Sequence, residues 1–160
     1  MPDTDIRHST HGLLGTRPAA WLFSHIMPAI DRFFFGITGG RFLPSAAVAG
    51  LPVILLTTTG ARSGQPRDTP LVGIPDGENY IVIASNWGQK HHPAWYYNLL
   101  AHPSVRVTFR GKTQSFVARQ TRDAEREAGW NKALSYYKSY NAYKERAGRE
   151  IPVFILEPAK

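Results

Sequence analysis

The chain has 160 residues, 42% of them hydrophobic, which is enough to close one core without staples. With no cysteine it excludes a disulfide framework, a thiolate zinc site and a cysteine nucleophile, and it fits a reducing cytoplasm. A charge of +7, spread along the chain and not gathered in a tail, points to an anionic partner: nucleic acid, anionic lipid or a phosphorylated cofactor.

Residues 1–18 are polar and carry Asp3, Asp5, Arg7, His8 and His11 before any apolar run, so a signal peptide is not expected and the mature protein should start near Met1. Between 21 and 35, Trp21/Leu22, Ile26, Ala29/Ile30 and Phe33/Phe34 recur three to four residues apart. That spacing predicts one apolar face of a helix interrupted at Pro28. The segment is too short and too often broken by charge to span a bilayer. It either packs on the body of the domain or lies in a membrane interface, with Arg32 and Arg41 toward lipid phosphates. Residues 38–50 read as a loop. The expected organisation is a tail and amphipathic helix over 1–50 and a barrel over 51–160, in a single domain.

From Leu51 the pattern changes to strands. Residues 53–58 are apolar and β-branched, and 68–74 complete a hairpin. Pro75-Asp76-Gly77 is a turn, and 79–85 (NYIVIAS) is a third strand expected to be buried on both faces. Pro93 suits the first turn of a helix ending before His102-Pro103. Residues 105–109 and 114–119 make a second hairpin about Arg110-Gly111-Lys112. Thr121 is placed to cap a helix over 122–134, with Glu125 and Arg126 on its exposed side. Residues 151–157 (IPVFILE) form the last strand, with Pro152 at its start or at an edge. Six strands, mostly in hairpins, with one helix after the third and another before the last, predict a mainly β (α+β) fold: a six-stranded antiparallel barrel with helices outside.

The connection at 57–67, TTTGARSGQPR, has the chemistry of an anion cradle. Gly60 and Gly64 allow close backbone approach, Arg62 and Arg67 can fork onto phosphate or carboxylate oxygens, and Thr59, Ser63 and exposed amides add neutral donors. A polar hairpin with solvated arginines is the plainer reading. The segment Ala84-Ser85-Asn86-Trp87-Gly88 ends the third strand with small and polar residues whose side chains and amides could face a ligand, the plainer reading being a strand that simply leaves the core. Tyr137, Tyr140 and Tyr143 recur every three residues and could roof a pocket. The polar setting of Lys138, Ser139, Asn141 and Lys144 argues against a fully buried face. His91-His92 with His102 lacks a carboxylate at ligand spacing, so no metal is expected. Hydrolytic motifs such as GxSxG are missing, and no recognisable nucleic-acid-binding module is present.

Taken together, LLTTTGARSGQPRDTPL, the strand ending ASNWG, HHPAWYYNL with its AHP ending, and the late YYKSYNAY before IPVFILEP resemble the deazaflavin (F-420)-dependent nitroreductase family, the A group of the flavin/deazaflavin oxidoreductases. Four motifs agree in order and spacing from about Gly39 to Pro158. The resemblance implies an FMN-binding-type split β-barrel and coenzyme F-420, whose tail carries a phosphodiester and a glutamate chain. It implies a cofactor-binding turn in which Arg62 and Arg67 hold the phosphate end and Thr59, Gly60, Ser63, Gly64 and Gln65 shape the turn. Pro70, Leu71, Val72, Ala84, Ser85 and Asn86 would line the ring, and Trp95, Tyr137, Tyr140 and Tyr143 would surround the substrate.

Ser85 and Tyr140 are the expected hydrogen-bond donors to charge developing on a quinone, nitroaromatic or nitroimidazole, or activated enone acceptor. The helical N-terminus is similar to those of members that associate with the inner face of the membrane. The chain departs from the family at Ala61 and Asn86, where basic residues are common, which weakens the positive field at the tail. An FMN enzyme of the same fold and a non-catalytic module that stores deazaflavin or docks on lipid are the alternatives.

Overall fold

The computed structural model describes residues 50–160, with Trp21, Ile26, Ala29, Ile30 and Phe33 before them. The polar tail and most of the helix expected over 21–35 lie outside the described residues. Among those that are described, no helix is long and apolar enough to cross a membrane.

Among the described residues seven strands form one antiparallel sheet: β1 (Val53–Thr59), β2 (Pro66–Val72), β3 (Ile74–Asp76), β4 (Asn79–Ile83), β5 (Ser104–Phe109), β6 (Lys112–Gln120) and β7 (Val153–Pro158). Their order is β2-β1-β5-β6-β7-β4-β3. The second expected strand is two strands, divided at Gly73, and this raises the count from six to seven. Gly73 donates its N–H to the Pro52 carbonyl at 2.9 Å, one residue beyond the last β1–β2 pair, and the ladder stops there because Pro52 has no N–H to return. β2 then pairs with β1 at one end of the sheet, whereas β3 pairs with β4 at the other. Because these two edge strands are consecutive in the chain, the sheet must curl until its edges meet in one segment. The barrel is closed by a bend, not by a ladder.

Side-chain alternation then builds two cores. On β4 and β7, Val82, Phe154 and Leu156 point inward with Ile54, Leu56, Val107 and Phe116 to fill the barrel. Ile81, Ile83, Val153 and Ile155 point outward, beneath Trp130, Ala133, Tyr140 and Tyr143. Strand β4 is therefore buried on both faces, as its unbroken apolar run predicts. Each fully buried aliphatic side chain contributes roughly 1.5–3 kcal/mol by the usual area rule.

The outer core is roofed by α2 (Asp123–Tyr136) and α3 (Tyr140–Ala147), while α1 (Ala94–Ala101) crosses the barrel mouth. Two helices thus precede the last strand where one was expected. Pro93 is the residue before α1, and the helix ends at Ala101 as His102-Pro103 requires. Thr121 does not cap α2. The N-cap is Arg122, and the buried Thr121 hydroxyl donates to the Val153 carbonyl at 2.9 Å, tying the helix entry to β7. Nor does Arg126 face solvent: its Nη2 donates to the Ile151 carbonyl at 2.8 Å.

Candidate active site

A cleft of about 1480 Å³ opens between α1, the turn after β1, strand β2, the loop after β4 and the tyrosines before and on α3. One end is basic and the other aromatic. A single apolar wall of Pro70, Leu71 and Val72 connects them along β2.

At the basic end the chain leaves β1 and turns within six residues. Gly60 donates its N–H to the Gln65 carbonyl and Gly64 donates to the Gly60 carbonyl, both at 2.8 Å. A Cβ on Gly60 would fall 2.4 Å from Ser63 Oγ and 3.3 Å from the Gln65 carbonyl oxygen, so a larger residue there would displace the Ser63 hydroxyl from its place in the turn. Ser63 Oγ accepts from the Gln65 amide at 3.2 Å and from Arg67 Nη2 at 3.5 Å. The backbone amides of Arg62 and Ser63 have no partner among the described residues. Two adjacent amides and two guanidiniums on one turn make a nest for an anion. Asp68 also lines the cleft, with its carboxylate accepting from the Thr57 hydroxyl at 2.6 Å.

The opposite wall is a strained loop. Asn86, Trp87 and Gly88 take φ of 47°, 58° and 76°, three left-handed residues in succession. For a bulky tryptophan this costs on the order of 1–3 kcal/mol and persists only where surrounding bonds enforce it. Two arginines near the end of α3 do so. Arg146 Nη1 donates to the Trp87 carbonyl at 3.0 Å. The Arg149 guanidinium donates to the carbonyls of Gln89 at 3.2 Å, Ala84 at 3.3 Å and His91 at 3.2 Å, and sits 3.0 Å from His92 Nδ1. Gly88 packs on α3 so closely that a Cβ would lie 3.0 Å from the Tyr143 Cα. Ser85 and Asn86 thereby face the cleft on a fixed backbone.

The tyrosines are buried, contrary to the expectation drawn from their polar neighbours. Tyr137, Tyr140 and Tyr143 are 4%, 4% and 2% exposed. Lys138, Asn141 and Lys144 point outward, so one side of the segment is solvated while the rings close the outer core. The Tyr137 and Tyr143 hydroxyls are 2.8 Å apart and bond each other. Burial pushes all three phenols above their ordinary pKa of 10, so they keep their protons through the neutral range. Each still lines the cleft with what little surface it exposes. Trp95 also reaches it, while its ring packs edge-on against Phe154 at 6.2 Å.

Of the expected cofactor residues, Gly60, Arg62, Ser63, Arg67, Pro70, Leu71, Val72, Ser85 and Asn86 converge on this cleft. Thr59, Gly64, Gln65 and Ala84 do not line it. Ala84 is fully buried in the barrel, and Gly64 and Gln65 serve the turn's own hydrogen bonds. Sequence reading missed Asp68, His92 and Tyr97 in the lining and the supports Asn98 and Arg149. The HHPAWYYNL motif contained three of these, but nothing in its spacing marked which side would face the cleft.

A family model described as F-420H(2)-dependent quinone reductase matches residues 35–158. The chain belongs to this family. Its relatives include an F-420H(2)-dependent quinone reductase of Mycobacterium tuberculosis, 33% identical over 145 residues, covering 85% of this chain and 95% of the relative. Among solved structures, one described as an F-420-H2-dependent reductase is 40% identical with a TM-score of 0.62, covering 66% of this chain and 94% of its own. Another, described as a domain-swapped dimer, is 35% identical with a TM-score of 0.64, covering 81% of this chain and 97% of its own. The fold thus matches that of the solved F-420-H2-dependent reductase.

Proposed function

We propose that the protein is an oxidoreductase that binds reduced coenzyme F-420 in this cleft and reduces a quinone. The observation that carries the reading is the polarity of the cleft: a turn with two guanidiniums and two free amides at one end, and an aromatic, hydroxyl-bearing recess at the other. A ligand with a planar ring and an anionic tail matches both ends. When bound, such a deazaflavin supplies hydride from its C5 to an electron-poor acceptor.

The chain's own residues hold and polarise. Arg62, Arg67 and the amides of Arg62 and Ser63 take the tail, helped by Gly60 in keeping the turn tight. Pro70, Leu71 and Val72 give an apolar bed for a ring, and Ser85 and Asn86 meet its edge from a backbone clamped by Arg149. Trp95 and the three tyrosines bound the acceptor. Tyr140 is the donor placed best for the acceptor oxygen, because its phenol stays protonated and has no other hydrogen-bond partner among the described residues. Water is excluded by the same rings, which strengthens a hydrogen bond to developing charge. Nitroaromatic and enone acceptors fit the same recess by the same logic. A lipid-soluble quinone is favoured if the apolar segment before residue 36 reaches a membrane surface.

The deciding experiment is a fluorescence titration with oxidised F-420 and, separately, FMN at two salt concentrations. Tight, salt-sensitive binding of F-420 with little FMN binding supports the proposal. FMN preference would turn it toward a flavin reductase of the same fold. Oxidation of reduced F-420 by a soluble quinone analogue then separates an enzyme from a binding module, which would bind and not turn over.

A further inference from the structure

Asn98 lies on α1, 37 residues from the arginine turn in sequence, and is only 8% exposed. Both ends of its amide are used. Its Oδ1 accepts from the Ala61 amide at 2.9 Å, and its Nδ2 donates to the Thr58 hydroxyl at 3.0 Å. The Thr58 hydroxyl in turn donates to the Arg67 carbonyl at 3.4 Å. One side chain therefore grips the turn on both sides, at the residue before Arg62 and, through Thr58, at Arg67 itself. Of the three successive amides at 61, 62 and 63, Asn98 takes only the first.

We infer that Asn98 is a positioning residue for the anion cradle, locking the turn so that the amides and guanidiniums of 62–67 converge on the cofactor's anionic tail. The inference rests on the cofactor reading above. Without the amide the Ala61 N–H, at the exposed end of the turn, loses its protein acceptor to water, and the buried Thr58 hydroxyl is left with the Arg67 carbonyl as its one partner. The turn would then be free to swing, and preorganised donors would become donors that must be ordered at each binding event. The ring end of the cleft touches none of these bonds.

That asymmetry gives the test. Binding of F-420 and of the tail-less 8-hydroxy-5-deazariboflavin is measured for the wild type, Asn98→Leu, Asn98→Asp and Thr58→Val. For Asn98→Leu the expected result is a Kd for F-420 raised roughly 10- to 100-fold, with that of the tail-less ligand changed less than about threefold. Thr58→Val keeps the Ala61 bond and should give a smaller loss in the same direction. Asn98→Asp keeps an acceptor for Ala61 but takes the Thr58 proton away from Arg67, and it too should lose the tailed ligand selectively.

In turnover, KM for reduced F-420 should rise with kcat kept, the signature of lost uniform binding. Equal losses for both ligands would mean general damage and overturn the inference, and so would unchanged F-420 affinity. If Asn98→Leu fails to fold, the other two variants carry the comparison. A wild type that takes no F-420 would bring down the functional reading and this inference together, whereas wild-type binding retained in all three variants overturns this inference alone.

Discussion

Arg149 Nη1 stands 3.0 Å from Nδ1 of His92, while the same guanidinium reaches the carbonyls of Ala84, Gln89 and His91. Guanidinium has only donors, so Nδ1 must accept, and the proton of His92 is placed on Nε2. The ring is further fixed by stacking on Tyr96 at 4.1 Å. Of the two cations that hold the loop with three left-handed residues, Arg146 and Arg149, the second is thus braced by a neutral imidazole.

That pairing sets a pH dependence. Burial, then Arg149, then His91 lower the pKa of His92 below its ordinary 6.5. Between that lowered value and 6.5 the unfolded chain binds a proton that the folded chain refuses. Stability is therefore full above about pH 6.5 and falls as the pH drops toward the folded pKa, below which the loss levels off. Thermal melting of wild type from pH 7.5 to 5 should show this decline, and His92→Asn should flatten part of it. An NMR titration should find the His92 pKa higher in Arg149→Gln; an unmoved value would rule out the pairing.

Arg67 should dominate the salt-sensitive part of cofactor binding. Its guanidinium lines the basic end of the cleft and leans on Ser63. Arg67→Ala is expected to weaken F-420 binding by about 1.5–3 kcal/mol, as for a charge-assisted hydrogen bond to phosphate, and to reduce the dependence on salt. Calorimetric titration at two ionic strengths reads both quantities. A variant that binds as well as wild type would remove Arg67 from the anion site.

Several of these features were legible in the sequence because they are local. The hairpin of 53–72 follows from β-branched runs about a glycine-rich turn, and the doubly buried β4 from an unbroken apolar run. The Gly73 break was not legible, since one glycine in a strand does not reveal that Ile54 lies against it. Burial of the tyrosines was misread because Lys138, Asn141 and Lys144 point away from them in space, while Ser139 is buried with them. Asn98 and Arg149 act over 37 to 65 residues of separation, and such bonds leave no period or motif at either end. Thr121 looked like a cap because caps and cross-strand ties use the same hydroxyl.

Tyr140→Phe separates catalysis from packing. The Tyr140 hydroxyl has no partner among the described residues, so its removal should leave the melting temperature unchanged or slightly raised. Cofactor affinity should also hold, because the tail binds at the other end of the cleft. Turnover with quinone should fall on the order of 100-fold if this phenol donates to the developing oxyanion. The raised pKa means that this group adds no titration to the rate profile in the neutral range. Full activity in the variant would transfer the role to Ser85 or exclude a protein donor from the acceptor site.

Gly73→Ala tests the bend that closes the barrel. A methyl there would lie 2.7 Å from Cδ1 and 2.8 Å from both Cγ atoms of Ile54, a side chain with no exposed surface and no room to move. Overpacking of this kind costs about 1–3 kcal/mol. Because the substituted residue joins β2 to β3, the strain falls on the segment where the two sheet edges meet, beside the apolar wall of Pro70, Leu71 and Val72. Urea unfolding should show a lower midpoint with the slope kept. Adding Ile54→Val removes Cδ1 alone, so the double variant should recover part of the loss despite the small cavity cost of that change by itself. Strictly additive destabilisation would mean that Gly73 and Ile54 do not meet as described and that the bend has another cause.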